Sequence, residues 1–349
     1  MKRTGSIDYV KFLFSLIILL YHLGILFTGG YIVVEGFFMI SGYLMMSSLC
    51  RVQEVGNTKG GSSLAFTLRK YRAVAFPLLF SALTGFVVYE ALIYRHPPLF
   101  SLQRLPLLLF EVIPLQMTGL EGMWTTGVSW YLSSMLLGIL LLHPLVKRNP
   151  MGFGGTAAPC IALLGYGLLS HHFGHLDVPN LWILNLVNSG LIRGIAGLCG
   201  GFTLYCLVHR LRPRPLRIRG RLLLSAAELG VWALLILTIM QPREERILSD
   251  FILTAAIFLI LLLILSERTL FSLLPSGRIS RALATVSTFV YLNHYPWSVY
   301  LSLTYPHKTP WERLPVCLLC VALSSGLAFG LTTLAELWIR KYRERLVSA

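Results

Sequence analysis

Charge is scarce in this sequence. Asp, Glu, Lys and Arg together make up 13% of its 349 residues, against 55% hydrophobic, which is too few ionised groups to cover a water-soluble surface. Acidic residues are the rarer kind, 15 against 30 Lys and Arg. No polar stretch is long enough to fold as a soluble domain, so the chain reads as one integral-membrane domain over 1–349. No internal repeat appears, which removes the paired halves of many transporters. No cleavable signal peptide is expected, because the first apolar stretch is long and no small-residue cleavage site precedes the second. The six cysteines (Cys50, Cys160, Cys199, Cys206, Cys317, Cys320) all sit in or beside apolar runs. Cys317 and Cys320 have redox spacing, but no basic neighbour favours a thiolate there, and they read as small buried hydrophobes.

What is present is a series of apolar stretches. A helix needs about 20 such residues to cross the hydrocarbon core, and ten ranges qualify: 8–28, 31–50, 73–94, 128–147, 156–172, 188–209, 222–241, 250–266, 283–304 and 314–338. The Leu- and Pro-rich segment 104–118, which holds Glu111, is too broken for a further span and reads as re-entrant or interfacial. The fold class expected is an all-α polytopic membrane protein. Basic residues mark the cytoplasmic side, and with the N-terminus inside, 22 of the 30 fall there. They include Lys2, Arg3, the run from Arg51 to Arg72, six arginines from Arg210 to Arg221, and the tail from Arg340 to Arg345. Both termini are therefore expected in the cytoplasm. The net charge of +15 then reads as topology and contact with anionic membrane lipid, not as nucleic-acid binding.

Lys11 and Arg193 are the basic residues left inside spans. In the first span, Asp8, Lys11, Ser15 and His22 fall within about 60° of one another around the helix. Lys11 and His22 differ by only about 20° in azimuth and lie roughly 16 Å apart along the axis. Ionisable groups at such depth are costly and mark functional sites. The short connection to the second span lets Glu35, at the head of "EGFFMISGYLM", approach His22, where a carboxylate would orient an imidazole acting as general base. Phe37 and Phe38 would wall a dry cavity, with Ser41 and Gly42 leaving room for a thin substrate or a close helix contact.

A second polar stripe, Ser287, Tyr291, His294 and Ser298, runs down the ninth span, with His294 placed to donate to a substrate carbonyl or to support the acceptor. Arg193 is expected to pair with an outer carboxylate such as Glu35 or to meet a sugar. Trp124, Trp130 and Tyr131 read either as interfacial aromatic anchors or as sugar platforms. His143 reads as interfacial. Gly194, Gly197, Gly200 and Gly201, and the pair Gly326 and Gly330, fit close helix packing. "HHFGH" at 171–175 lacks the carboxylate and thiolate framework of a metal site, and no metal is expected.

Lys11, ten residues, His22 and then "VEGFFMISGYLM" resemble the opening of the integral-membrane acyltransferase 3 family, bacterial enzymes that O-acylate cell-surface glycans. "FTLRKYRAVAFPLLF", "WYLSSMLLGILLLHPL", "RGIAGLCGG" and "YLNHYPW" are similar to later family segments, in the same order. The resemblance implies a multi-pass protein of the bacterial inner membrane, with about ten spans, that moves an acyl group, most commonly acetyl, from acetyl-CoA or another acyl-CoA. The acceptor would be a glycan or lipid-linked oligosaccharide hydroxyl. Lys11, Arg69 and Arg72 would hold the donor's phosphates, His22 and Glu35 would be catalytic, and Ser41, Trp130, Arg193, Tyr291 and His294 would meet substrate. A proton-coupled transporter or exporter using Lys11, His22 and Glu35 stays open as the alternative, as does a non-catalytic membrane partner.

Overall fold

The computed structural model describes residues 5–54, 61–120, 123–211, 216–242 and 249–348. Of the basic residues used above for topology, Lys2, Arg3, Lys59, Arg212 and Arg214 lie outside them, as do Arg243 and Arg246.

Helices dominate the described residues. In chain order they are α1 (Gly5–His22), α2 (Val34–Glu54), α3 (Ser63–Val87), α4 (Pro98–Arg104), α5 (Leu109–Val112), α6 (Trp130–Val146) and α7 (Pro150–Gly155). Then come α8 (Ala157–Phe173), α9 (Ser189–Leu211), α10 (Ile218–Ile239), α11 (Ser249–Leu265), α12 (Arg278–Thr304) and α13 (Pro310–Ser348). A two-residue antiparallel hairpin, β1 (Trp182–Ile183) with β2 (Val187–Asn188), leads into α9.

Each of the ten apolar ranges falls on a helix of its own. Six helical stretches are long and apolar enough to cross a membrane: Gly5–His22, Gly30–Gln53, Ser63–Ile93, Ser189–Leu211, Ile218–Ile239 and Pro310–Arg345. Trp130–Val146 and Ser249–Leu265 are apolar but shorter. The chain is thus an all-α membrane protein. Segment 104–118 is broken into 3-10 turns around α5, as its prolines Pro106 and Pro114 require.

α1 ends at His22, short of the range 8–28, because Gly24 (φ +73°) and Leu26 (φ +58°) turn the backbone left-handed. His22 therefore occupies the last turn of a helix. α3 continues through a π-helical turn, Val88–Ile93, a geometry that re-aims side chains and recurs at functional sites.

α2 and α9 form the most extensive helix contact. Glycine makes it possible: a methyl group on Gly42 would strike the Leu198 carbonyl, and one on Gly201 would strike the Met39 carbonyl. Gly194 and Gly197 likewise receive Phe38. The expectation for Gly326 and Gly330 is corrected, since both face open space on the outside of α13. That face, with Leu323, Leu327 and Leu334 exposed, and the outside of α10, with Leu223, Leu229 and Leu237, suit lipid. α1 packs along α12, and α12 is tied to α3 by Asn293, which donates to Ser81 Oγ (2.8 Å) and accepts from Thr84 Oγ1 (2.8 Å). Such polar pairs join helices where apolar surface gains nothing by leaving lipid.

Candidate active site

The two polar stripes meet along the α1–α12 contact. Ser287 Oγ donates to the Lys11 carbonyl (3.0 Å), fixing the register of the two helices. One end of that contact carries His22, whose ring lies 5.1 Å from His294, 4.9 Å from Tyr295 and 4.8 Å from Tyr21, centroid to centroid. His294 is wholly buried, and its Nδ1 lies 3.0 Å from the Val290 carbonyl. A carbonyl only accepts, so Nδ1 carries the proton and Nε2 carries the lone pair. Nε2 has no hydrogen-bond partner among the described residues. In this tautomer the open nitrogen of His294 is an acceptor, and donation to a substrate carbonyl would require the doubly protonated ring.

Glu35 does not stand beside His22. Its carboxylate is held by Arg193 Nε through one oxygen and by the Tyr166 hydroxyl through the other, at 0% exposure. Arg193, 1% exposed, spends its remaining nitrogens on the carbonyls of Leu176 (2.7 Å) and Tyr31 (2.9 Å). Tyr31 in turn donates to both oxygens of Asp250 (3.0 and 2.8 Å), which also accepts from Leu176 N (2.8 Å). The cluster therefore ties α2, α8, α9 and α11 together with its main acceptors and donors matched, as buried charge requires. One assignment changes and one holds. Glu35 is not the orienting carboxylate of His22, because both of its oxygens are engaged elsewhere. Arg193 pairs with Glu35 as one expectation held, and has no nitrogen left over to meet a sugar. Trp130 is corrected as well: its ring lies under the Arg193 guanidinium (5.2 Å) and against Phe38 (6.0 Å), 7% exposed, where neither a sugar nor the lipid interface reaches it.

Cavities open toward this region from both ends of the bundle. At the end where α1 begins, a cleft of about 500 Å³ is lined by Asp8, Lys11, Ser47, Arg51, Pro77 and Glu336, among others. Lys11 also lines an inner chamber of about 150 Å³, together with Phe37, Ser41, Tyr131, Ser287 and Tyr291. Tyr131 donates to the Phe37 carbonyl (3.2 Å), so Ser41 Oγ is the donor in its 2.9 Å contact with Tyr131. The Tyr291 ring lies 6.1 Å from that of His294. A cavity of about 590 Å³ adjoins the cleft through Glu336 and is lined by Arg72, Arg340 and Arg343. Arg69 joins neither; it lies over the Phe66 ring at 5.4 Å. At the opposite end, a cavity of about 450 Å³ is lined by Tyr89, Tyr94, Arg104, Trp124, Asn180 and Tyr295. His22 and His294 thus sit between a chamber walled by Tyr291 and a cavity walled by Tyr295.

A family model described as an acyltransferase domain matches residues 4–329, nearly the whole chain. The chain belongs to the acyltransferase 3 family. No curated protein and no solved structure matches it. Membership makes this membrane protein an acyltransferase, and the family-like residues Lys11 and His22 stand on one helix, at the cleft where α1 begins and at the imidazole pair.

Several residues of the acyltransferase's site region escaped sequence reasoning. Glu111 is buried and accepts from Thr125 N and Oγ1 (both 2.7 Å), Thr126 N (2.9 Å) and Oγ1 (2.5 Å), and Ser129 Oγ (2.7 Å). It pins the loop whose Gly127 (φ +67°) lies flat against the Tyr295 ring and whose Val128 carbonyl accepts from Tyr291 (3.3 Å). The signal was a lone carboxylate followed by the hydroxyl-rich "TTGVS". Glu90, in the π-turn, holds His96 (2.7 Å), Ser101 (3.1 Å) and Arg104 (3.3 Å) beside the cavity lined by Tyr89 and Tyr295. Tyr31, Tyr166 and Asp250 gave no such signal, because their partners come from distant helices. His143, in the last turn of α6, is buried, bonded to Ser63 Oγ (3.0 Å) and packed on Phe66.

Proposed function

We propose that this acyltransferase carries an acetyl group from cytoplasmic acetyl-CoA to a hydroxyl of an exported or surface polysaccharide, in the bacterial inner membrane. Ten helices cross the bilayer and both termini are cytoplasmic, so the cleft at Lys11 opens to the cytoplasm. The observation that carries this reading is that the His22 ring packs on Tyr295, which lines one cavity, and on His294, whose neighbour Tyr291 lines the chamber that Lys11 also lines.

The donor's phosphates lie against Lys11 and the arginines Arg72, Arg340 and Arg343 as charge-assisted contacts. Its pantetheine arm is thin enough to follow the cleft into the chamber, where Ser41, Tyr131 and Tyr291 flank the thioester. The acceptor enters the outer cavity, where Tyr89, Tyr94 and Trp124 present aromatic faces and Arg104 and Asn180 present polar groups. His22 takes the proton of the acceptor hydroxyl as its oxygen bonds to the acyl carbon. The carbon–sulfur bond then breaks, and the thiolate of coenzyme A takes that proton. Holding donor and acceptor on either side of one imidazole supplies much of the rate, since positioning alone removes several kcal/mol, on the order of 7–11 for well-aligned groups. The transporter alternative needs Glu35 as a titrating relay. Its closed contact with Arg193 and Tyr166 argues against that.

The test is transfer of label from radioactive acetyl-CoA to glycan in membrane vesicles bearing wild-type protein or His22→Ala at matched abundance. Label with wild type and none with the variant supports the proposal. Label at equal levels in both removes His22 from the chemistry.

A further inference from the structure

A proton taken by His22 makes an imidazolium that no carboxylate contacts among the described residues. Glu35 is held by Arg193 and Tyr166, and Asp177 accepts from Tyr21 (3.1 Å). The titratable groups that face the His22 ring are Tyr21 of α1 and His294 and Tyr295 of α12. Phenols are poor acceptors for an imidazolium N–H. His294 Nε2 is a good one, and it is buried without a hydrogen-bond partner among the described residues.

We propose that His294 is the proton-accepting partner of His22, filling the place that the sequence suggested for Glu35. Ring centroids 5.1 Å apart are the right separation. Each imidazole nitrogen lies about 1 Å from its ring centre, so facing nitrogens come to about 3 Å, a hydrogen-bond distance. A modest rotation of the His22 ring, which is tilted 38° from that of His294, completes the contact. The chain of contacts then runs from the Val290 carbonyl through His294 Nδ1–H and Nε2 to a His22 N–H, leaving the other His22 nitrogen to face the acceptor hydroxyl. His294 fixes the tautomer of His22 as a second carboxylate or carbonyl fixes that of a metal-bound histidine.

In the reaction the acceptor O–H proton passes to the outward nitrogen of His22. The N–H on its other side is shared with His294 Nε2, spreading the positive charge over two rings in a site with little water to solvate it. Carbon–oxygen bond formation and carbon–sulfur bond cleavage follow, and the thiolate of coenzyme A recovers the proton from His22. No net proton remains on the pair. His294 acts through His22 and is a positioning residue, not one that touches the acyl group.

This inference rests on the acyl-transfer reading, and the experiment separates the two. Protein labelled with nitrogen-15 histidine is placed in lipid nanodiscs, and the His294 signals are assigned by their loss in His294→Gln. The proposal expects Nδ1 protonated and Nε2 bare; a proton found on Nε2 overturns it whatever the activity. Label transfer from acetyl-CoA is then compared among wild type, His294→Gln and His294→Phe at matched abundance. Gln keeps an oxygen that accepts from His22, whereas Phe fills the space without one. The expected loss is about 100-fold or more for Phe, with Gln recovering at least about tenfold over Phe. Equal loss in both variants, or full activity in Phe, overturns the partnership. Absence of transfer in wild type with the bare-Nε2 tautomer present would instead count against the acetyl-CoA reading.

Discussion

Arg193 of α9 and Glu35 of α2 form a buried ion pair whose every heteroatom is committed, and His22 looks to His294 instead. Breaking such a pair from one side leaves a charge buried without a partner, which costs about 3–5 kcal/mol.

Glu35→Ala and Arg193→Ala are therefore each expected to lower the unfolding temperature in detergent and the yield of folded protein sharply. Glu35→Gln combined with Arg193→Met should recover much of that loss, since removing both charges removes the desolvation burden. The check is thermal unfolding of the four proteins. A His22-coupled catalytic carboxylate would behave otherwise: Glu35→Ala would stay folded and lose only activity.

How far the sequence led can be read from these residues. The helices were legible because apolar stretches of membrane length have few alternatives to a helix, and Lys11 and His22 were legible because a fixed spacing on one helix fixes their common face. Partners across helices were not. Glu35 is close to His22 in sequence, but the left-handed turn at Gly24 and Leu26 and the packing of α2 on α9 direct its carboxylate to Arg193. Pairings of this kind depend on helix contacts more than a hundred residues apart, as with Tyr166 and Glu35 or Tyr31 and Asp250, and no local pattern encodes them.

Lys11 lines both the cleft and the inner chamber. Lys11→Ala is expected to raise the KM for acetyl-CoA by about tenfold, in line with the loss of one charge-assisted contact, while leaving the unfolding temperature within a degree or two. Lys11→Arg should restore most of the affinity. Steady-state kinetics with varied donor decide it, and an unchanged donor KM for Lys11→Ala would separate this lysine from the donor path.

Glu111 satisfies five donors in the loop that packs on Tyr295 and Tyr291. Glu111→Gln replaces one accepting oxygen with an amide that faces donors, leaving buried groups unmatched at about 1–3 kcal/mol each. The expected result is a loss of label transfer of about tenfold or more, with donor KM unchanged and faster proteolysis of the loop at 123–129. Wild-type transfer in this variant would show that the loop does not position the site.

Gly127 combines a left-handed φ of +67° with direct contact to the Tyr295 ring. Gly127→Ala is expected to displace that ring from His22 and lower transfer, whereas Gly167→Ala, at a position with open space on α8, should leave it unaltered. Side-by-side label transfer from the two variants makes the comparison, and equal activities would contradict the account of the loop.

The central claim is that the acyl group enters from one side of the bundle and leaves on the other through His22. Sealed vesicles of the two orientations, given membrane-impermeant radioactive acetyl-CoA on the outside only, test it directly. Inside-out vesicles should label glycan enclosed in their lumen, and right-side-out vesicles should not. Equal labelling by right-side-out vesicles, or label confined to glycan on the same side as the donor, would contradict it.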